Sequence, residues 1–137
     1  MYIKQVKIDK SEIDGRGVFS LERIPKGEIV WILKDGYDVM KTDEEFQLLS
    51  EAEKEHLAHT AYLSPWSGKW IYPPIGDVAE YTNHSSNNNL NAVYDPAISP
   101  EPVFITNREI EIGDELTNNY HEFDEITKTQ KPEWAKQ

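Results

Sequence analysis

Three short stretches of this chain carry residue types that can do chemistry. The first, Tyr81-Thr82-Asn83-His84-Ser85-Ser86-Asn87-Asn88-Asn89-Leu90, is almost wholly polar between apolar-patterned flanks. Short amides and hydroxyls bond their own backbone and favour turns over ladders, so the run predicts a structured loop. Read alone, it also fits a surface turn rich in asparagine. The second, Gly15-Arg16-Gly17, lies far upstream. Its glycines permit positive φ or the close approach of a backbone or ligand, and a plain hairpin turn is the other reading. The third, Glu115-Leu116-Thr117-Asn118-Asn119-Tyr120, ends a strand-like run on a phenol. The rest of the chain reads as a frame for these three pieces.

Bulk properties bound what the frame can be. The 137 residues are 38% hydrophobic and 28% charged, which suits one soluble domain, 1–137, with one core. No apolar run is long enough to span a bilayer, and the first residues alternate like a strand instead of forming a secretory leader. No membrane partner is expected. With no cysteine there is no disulfide, thiolate nucleophile or cysteine-zinc site. That fits a reducing compartment, so we expect an intracellular protein, cytoplasmic or nuclear. A net charge of -11 argues against direct nucleic-acid binding, which needs basic patches. It suits a cationic partner such as a lysine-rich protein segment, or serves solubility alone.

The elements that must position the three stretches are mostly short strands. Alternation predicts a strand over 2–8. Apolar runs predict strands from Val18 and over 28–33, 69–72, 90–94 and 103–106. The pattern Ile24-x-x-Gly27-Glu28-x-Val30 returns as Ile110-x-x-Gly113-Asp114-x-Leu116. Two copies are too few for a solenoid and predict two similar turn-strand units in one β-fold. Between them, Thr42 to Glu45 and Ser50 to Glu53 have capping-box spacing. They predict helices over about 43–49 and 51–62, with Phe46, Leu49, Leu57, Ala61 and Tyr62 turned inward. His56 and His59 share a face but lack a third ligand nearby, so no metal site is expected. Beyond His121 periodicity fades, and Phe123 and Trp134 are expected to dock on the body. The fold class is mainly β and not a barrel, with a helical insert at about 42–63 and a tail over 121–137.

Taken in order, the motifs resemble the SET domain of protein lysine methyltransferases. Gly15-Arg16-Gly17-Val18-Phe19 is similar to that family's early Gly-x-Gly segment. Ile75 to Ser85 is similar to the stretch ending in Asn-His-Ser, and Gly113 to Tyr120 to the segment ending in the catalytic tyrosine. The resemblance runs from about 6 to 120, and the helical insert falls where the family varies. It implies a SET-domain (β-clip-like) fold whose C-terminal segment threads a loop in a knot-like path, an exception to ordinary connectivity. It also implies S-adenosylmethionine as methyl donor and a lysine ε-amine of a basic protein substrate as acceptor, on two faces joined by a narrow channel. The backbone of Gly15, Arg16 and Gly17 would line the methionine part. Asn83 and His84 would hold the adenine and amino-acid ends. Tyr81 would contact both cofactor and substrate, and Tyr120 would be the catalytic residue. Asn118, two positions earlier, occupies the place tied to how many methyls are added.

The implied chemistry is consistent with these residues. Only a neutral amine can attack a methyl group, and free lysine has a pKa of ~10.4. An apolar channel beside a positive sulfonium favours the neutral form, so alignment can do much of the work. The chain departs from the family pattern at Glu80, where an arginine is common, at Asn88, where proline is common, and at Asn118, where an aromatic is common. It also lacks the cysteine-rich zinc flank. Another apolar surface must then shield the channel. Phe123 is the expected wall and substrate contact, with Glu122, Asp124 and Glu125 facing a basic substrate. The competing reading is a SET-like module without activity that binds a basic protein partner.

Overall fold

The two turn-strand copies are paired with each other. Ile24 N–H donates to the Ile110 carbonyl at 3.0 Å and Ile110 N–H donates back at 2.8 Å. Both side chains are buried. Each copy then turns on a glycine of positive φ, 88° at Gly27 and 92° at Gly113. The glycine N–H groups close the turns on neighbouring elements, Gly27 on the Thr106 carbonyl and Gly113 on that of Ser20, each at 2.8 Å. A side chain would be strained at either φ, which is why glycine recurs at the same place in both copies.

This computed structural model describes residues 1–58 and 60–126, so His59 and Trp134 lie outside the described residues. The strands form three small sheets. The first has the order β1 (Val6–Lys10), β2 (Arg16–Ser20), β10 (Glu115–Asn118), β7 (Asn83–His84). The second runs β3 (Ile29–Trp31), β9 (Val103–Thr106), β8 (Leu90–Val93), and the third β4 (Val39–Lys41), β6 (Trp70–Tyr72), β5 (Tyr62–Leu63). β10 is antiparallel to β2 but parallel to β7. Parallel neighbours need a long crossover, supplied here by the chain through β8 and β9. Val18, Ile24, Val30, Leu90, Ile110 and Leu116 fill the core, and one side of it is aromatic, with Tyr2, Trp31, Tyr62, Phe104, Tyr120 and Phe123.

Both expected capping boxes form. Thr42 caps α1 (Asp43–Gln47) with Glu45 as its reciprocal partner, and Ser50 caps α2 (Glu51–Leu57) with Glu53. The insert has its own small core, in which Phe46 stacks on Trp70 at 4.2 Å. α2 stops at Leu57, short of the expected 62. Tyr62 is claimed by β5, where it pairs with Ile71 and its hydroxyl reaches the buried Glu101. Sheet pairing here overrides helix propensity. The first strand likewise starts at Val6, not at residue 2, because Tyr2 bridges to Trp31 instead. Strand β4 carries no sequence signal that anticipated it.

The segment after β10 is held on several sides. The Phe123 ring meets those of Tyr62, Phe104 and Tyr120 at 5.1, 4.9 and 4.8 Å. Asp124 is buried and accepts the Leu63 N–H at 2.9 Å. Glu122 accepts from the side chains of Asn88 and Asn91 and from the Ala92 N–H. This enclosure buries Phe123 and docks the segment on the body, as expected for that residue. It corrects the expectation that Glu122 and Asp124 face a basic substrate: their carboxylates satisfy internal donors that would otherwise be buried unpaired.

The Ile24–Ile110 pairing gives a stability prediction. Ile110→Ala should destabilise the fold by about 2–5 kcal/mol, the range for truncating a buried isoleucine. Urea denaturation measures it, and an unchanged midpoint would mean that the paired repeats do not hold the core.

Candidate functional site

Strand β10 brings the three polar stretches together. Its parallel register sets Thr117 opposite Asn83 and Asn118 opposite His84, and the Ser85 N–H continues the ladder to the Asn118 carbonyl at 2.9 Å. The asparagine-rich loop is structured as expected. Buried Asn89 accepts the Thr117 N–H at 2.9 Å and donates to the Glu115 carbonyl at 2.8 Å, so its amide stands in for a neighbouring strand. Beyond β10, the Tyr120 N–H donates to His84 Nδ1 at 3.1 Å. That bond assigns the neutral imidazole's proton to Nε2. His84 therefore fixes the backbone that carries the Tyr120 phenol.

Glu115 and Asn83 tie in the glycine stretch. Asn83 Nδ2 lies 2.9 Å from Glu115 Oε2, 3.1 Å from the Arg16 carbonyl and 3.2 Å from that of Asp14. Ser11 Oγ donates to the same carboxylate at 2.8 Å and accepts the Ile13 N–H at 2.9 Å. Gly17 sits at this crossing. A Cβ there would lie 2.7 Å from the Glu115 carboxyl carbon and 3.2 Å from Asn83 Nδ2. Gly17 is thus needed for close approach, whereas Gly15, at φ 45°, makes the turn.

These contacts enclose a cavity of about 280 Å³. Ile13, Asp14, Gly15 and Arg16 line one part, Glu80, Tyr81, Thr82, Asn83 and His84 another, and Tyr120 completes it. Six of the seven residues expected around a cofactor or the reacting methyl, Gly15, Arg16, Tyr81, Asn83, His84 and Tyr120, therefore meet at one cavity, and Gly17 stands behind it. Glu80 is held in the wall by the Gly76 N–H and by His56 Nε2, the latter at 3.1 Å. Among the described residues no group of three or more side chains could hold a metal ion.

A second, narrower cavity of about 40 Å³ is mostly aromatic. Tyr2, Trp31, Tyr62, Tyr72, Phe104 and Phe123 form its walls, joined by the polar Thr60 and Asn118. Tyr120 and Thr82 line both cavities. Among the described residues, Asn118 Oδ1 and Thr60 Oγ1 are buried there without a hydrogen-bond partner. Burial, then Asp124 and Tyr2, hold the Tyr120 phenol well above its usual pKa, so it stays protonated at neutral pH. Phe123 and Asn118, two of the expected substrate contacts, line this smaller cavity, while the third, Tyr81, borders the larger one. Tyr2, Trp31, Tyr62, Tyr72 and Phe104 line this cavity without having been singled out as cavity residues from the sequence. Their only sequence signal is an aromatic at an inward strand position, which is also the signal of plain core.

The SET domain family model matches residues 15–121, and the chain belongs to the SET-domain family. Among solved structures it is similar to a candidate histone methyltransferase of Plasmodium falciparum, with a TM-score of 0.57 and 25% identity over 84% of this chain and 91% of that chain. It is also similar to a humanized mutant of the Chaetomium thermophilum Polycomb Repressive Complex 2 bound to an inhibitor, with a TM-score of 0.62 and 24% identity over 91% of this chain. That second match spans 16% of the other chain and speaks for the fold alone. No curated protein matches in sequence. The mainly β SET-domain fold expected from the motifs is therefore the observed one, and the family supports methyltransferase chemistry in general.

The crossing at Gly17 is testable without any ligand. Gly17→Ala should cost about 1–3 kcal/mol, because the methyl must push Glu115 and Asn83 apart. It should also speed amide hydrogen exchange at Ile13, whose N–H is held by Ser11. Exchange at wild-type rates in a folded variant would show that the loop does not depend on this contact.

Proposed function

We propose that this chain transfers a methyl group from S-adenosylmethionine to a lysine ε-amine of a basic protein substrate. The observation that carries this reading is the position of Tyr120, which borders both a polar cavity of about 280 Å³ and a narrow aromatic one. A donor site and an acceptor site that share one phenol suit a transfer between two molecules arriving from different sides.

The larger cavity fits the proposed donor. Its size is near the lower end for small-molecule sites, and its lining mixes backbone, amide and apolar groups. Asp14 and Glu80 border it together with Arg16, so acidic side chains outnumber basic ones in the lining, which suits a ligand carrying both charges with a positive centre. When bound, the donor supplies a methyl group on a positive sulfur, which the amine lone pair takes as the carbon–sulfur bond breaks and its electrons stay on sulfur. Asn83 would act by holding the 14–16 backbone as a wall, and His84 by fixing Tyr120. Tyr120, kept neutral, offers its oxygen to orient the amine. The aromatic walls exclude water and favour the neutral amine. Asn118 Oδ1 and Thr60 Oγ1 are buried acceptors suited to the amine N–H groups. The acidic chain and the aromatic cavity both favour a cationic partner.

Incubation with the donor and a mixed protein extract, read by mass spectrometry, tests the reading directly. Methylated lysines should appear. Donor binding without any transfer would make the chain a binding module. Two variants test the roles. Tyr120→Phe should lower turnover by about 100-fold while leaving donor affinity nearly unchanged, because the hydroxyl acts mainly in the transition state. Wild-type turnover would remove Tyr120 from the chemistry. Asn83→Ala should weaken donor binding by about tenfold, as a lost buried amide leaves its partners unsatisfied. Calorimetry reads this, and unchanged affinity in a folded protein would count against the cavity as the donor site.

A further inference from the structure

Behind the aromatic cavity lies a buried acid that the chemistry above does not use. Glu101 has no solvent exposure. Each of its oxygens accepts one hydroxyl: Tyr62 donates to Oε1 at 3.1 Å and Ser64 to Oε2 at 3.2 Å. Among the described residues, no lysine, arginine or histidine forms an ion pair with it. Both oxygens act as acceptors, the one hydrogen-bonding role a carboxylate has. Tyr62 is a wall of the aromatic cavity and meets Phe123 edge to face at 5.1 Å. The acid is therefore one phenol removed from that space.

We propose that Glu101 is a positioning residue that acts through Tyr62 to make the aromatic cavity a cation site, drawing a lysine side chain in as its ammonium. This rests on the proposed function and names how its acceptor is selected. A buried carboxylate with no cationic partner is costly, and polar residues of similar shape would tie β5 to the 99–102 loop equally well. A cation arriving in the cavity supplies the missing partner. Screening by solvent is weak at such a depth, so the charge acts across the intervening ring. The hydroxyl of Tyr62, donating to a carboxylate, leaves the ring face richer in electrons for a cation–π contact. Burial, and then Glu101, hold the Tyr62 phenol well above its usual pKa, so it remains a donor.

The other titratable groups around Tyr62 are Asp38 and Tyr120, which in turn faces Asp124 and Tyr2. Asp38 is bonded to the Lys34 N–H at 2.8 Å and to the Met1 amine at 2.9 Å, and Asp124 to the Leu63 N–H. These stay in place when Glu101 is changed. The sign of the effect is fixed. A negative charge near the amine stabilises the ammonium, so it tightens lysine binding and raises the pH at which the bound amine becomes reactive.

Glu101→Gln keeps the size of the side chain and one acceptor oxygen, turns the other acceptor into an amide donor, and removes the charge. For a lysine peptide, KM at pH 7 should rise about tenfold, and the acidic limb of the kcat profile should move about one unit to lower pH. Donor affinity should not change. A purely structural role would not displace the limb. A second arm needs no turnover: calorimetry compares a lysine peptide with its norleucine counterpart on the protein without donor. Wild type should prefer lysine, and Glu101→Gln should lose about tenfold of that preference. This arm stands even if no transfer is ever seen, so failure here and failure of the methyltransferase reading are told apart. A folded variant that keeps both the lysine preference and the pH limb would overturn the proposal. If Glu101→Gln does not fold, Tyr62→Phe removes one donor to the carboxylate and must lower the same preference. If it does not, the proposal fails.

Discussion

The larger cavity depends on one contact, the meeting of the Glu115 carboxylate with the Asn83 amide. Ser11 reaches the same carboxylate from 104 positions away in sequence, and Asn83 reaches Ser11 across 72. Closing loops of that length costs entropy, although the cost grows slowly with length. What returns it is that each partner satisfies several others. Asn83 Nδ2 has two protons for four oxygens, so the 14–16 backbone, Ser11 and Glu115 share one donor group. Removing one member weakens the rest, which is the behaviour of a network and not of a sum of pairs.

Strand β10 turns that contact into two cavities. Side chains of a strand alternate between faces, so Leu116 and Asn118 point one way and Glu115 and Thr117 the other. Leu116 enters the core and Asn118 the aromatic cavity. Glu115 meets Asn83 and Ser11, while Thr117 accepts the Asn89 N–H at 3.3 Å. One short run of alternating residues therefore serves the glycine loop, the asparagine loop and the narrow cavity at once. Tyr120 lies just past the end of this strand, where the ladder no longer fixes it, and His84 takes over that task.

Much of this was legible in the sequence where the signal is local. Capping boxes at Thr42 and Ser50 are readable because donor and acceptor lie three residues apart. The repeated glycine turns are readable because positive φ restricts residue choice. The end of α2 was not, because Tyr62 is drawn into β5 by Ile71 and Glu101, neither of them local. The reason for Gly17 was equally hidden, since the atoms it must admit belong to Glu115 and Asn83. Glu122 and Asp124 look like solvent-facing acids by composition, and only their burial partners show otherwise. The aromatic cavity is the extreme case. Tyr2, Trp31, Tyr62 and Phe104 come from distant parts of the chain, and nothing in their individual settings distinguishes a cavity wall from core.

On the proposed reading, the two cavities place opposed demands on the amine. Aromatic walls and desolvation favour its neutral, reactive form, whereas a buried Glu101 favours the ammonium. Both can hold if they act at different moments. Without a donor, the acid dominates and the cavity selects a cation. A positive sulfonium at the shared boundary at Tyr120 would offset the acid's field and lower the amine's hold on its proton. Neither Tyr120 nor Tyr62 can then be the strong base, because burial keeps both phenols protonated. The proton would then have to leave to solvent, released by the donor's charge. Recognition and reactivity are in this way separated by the order of binding, with no titrating residue required at the junction itself.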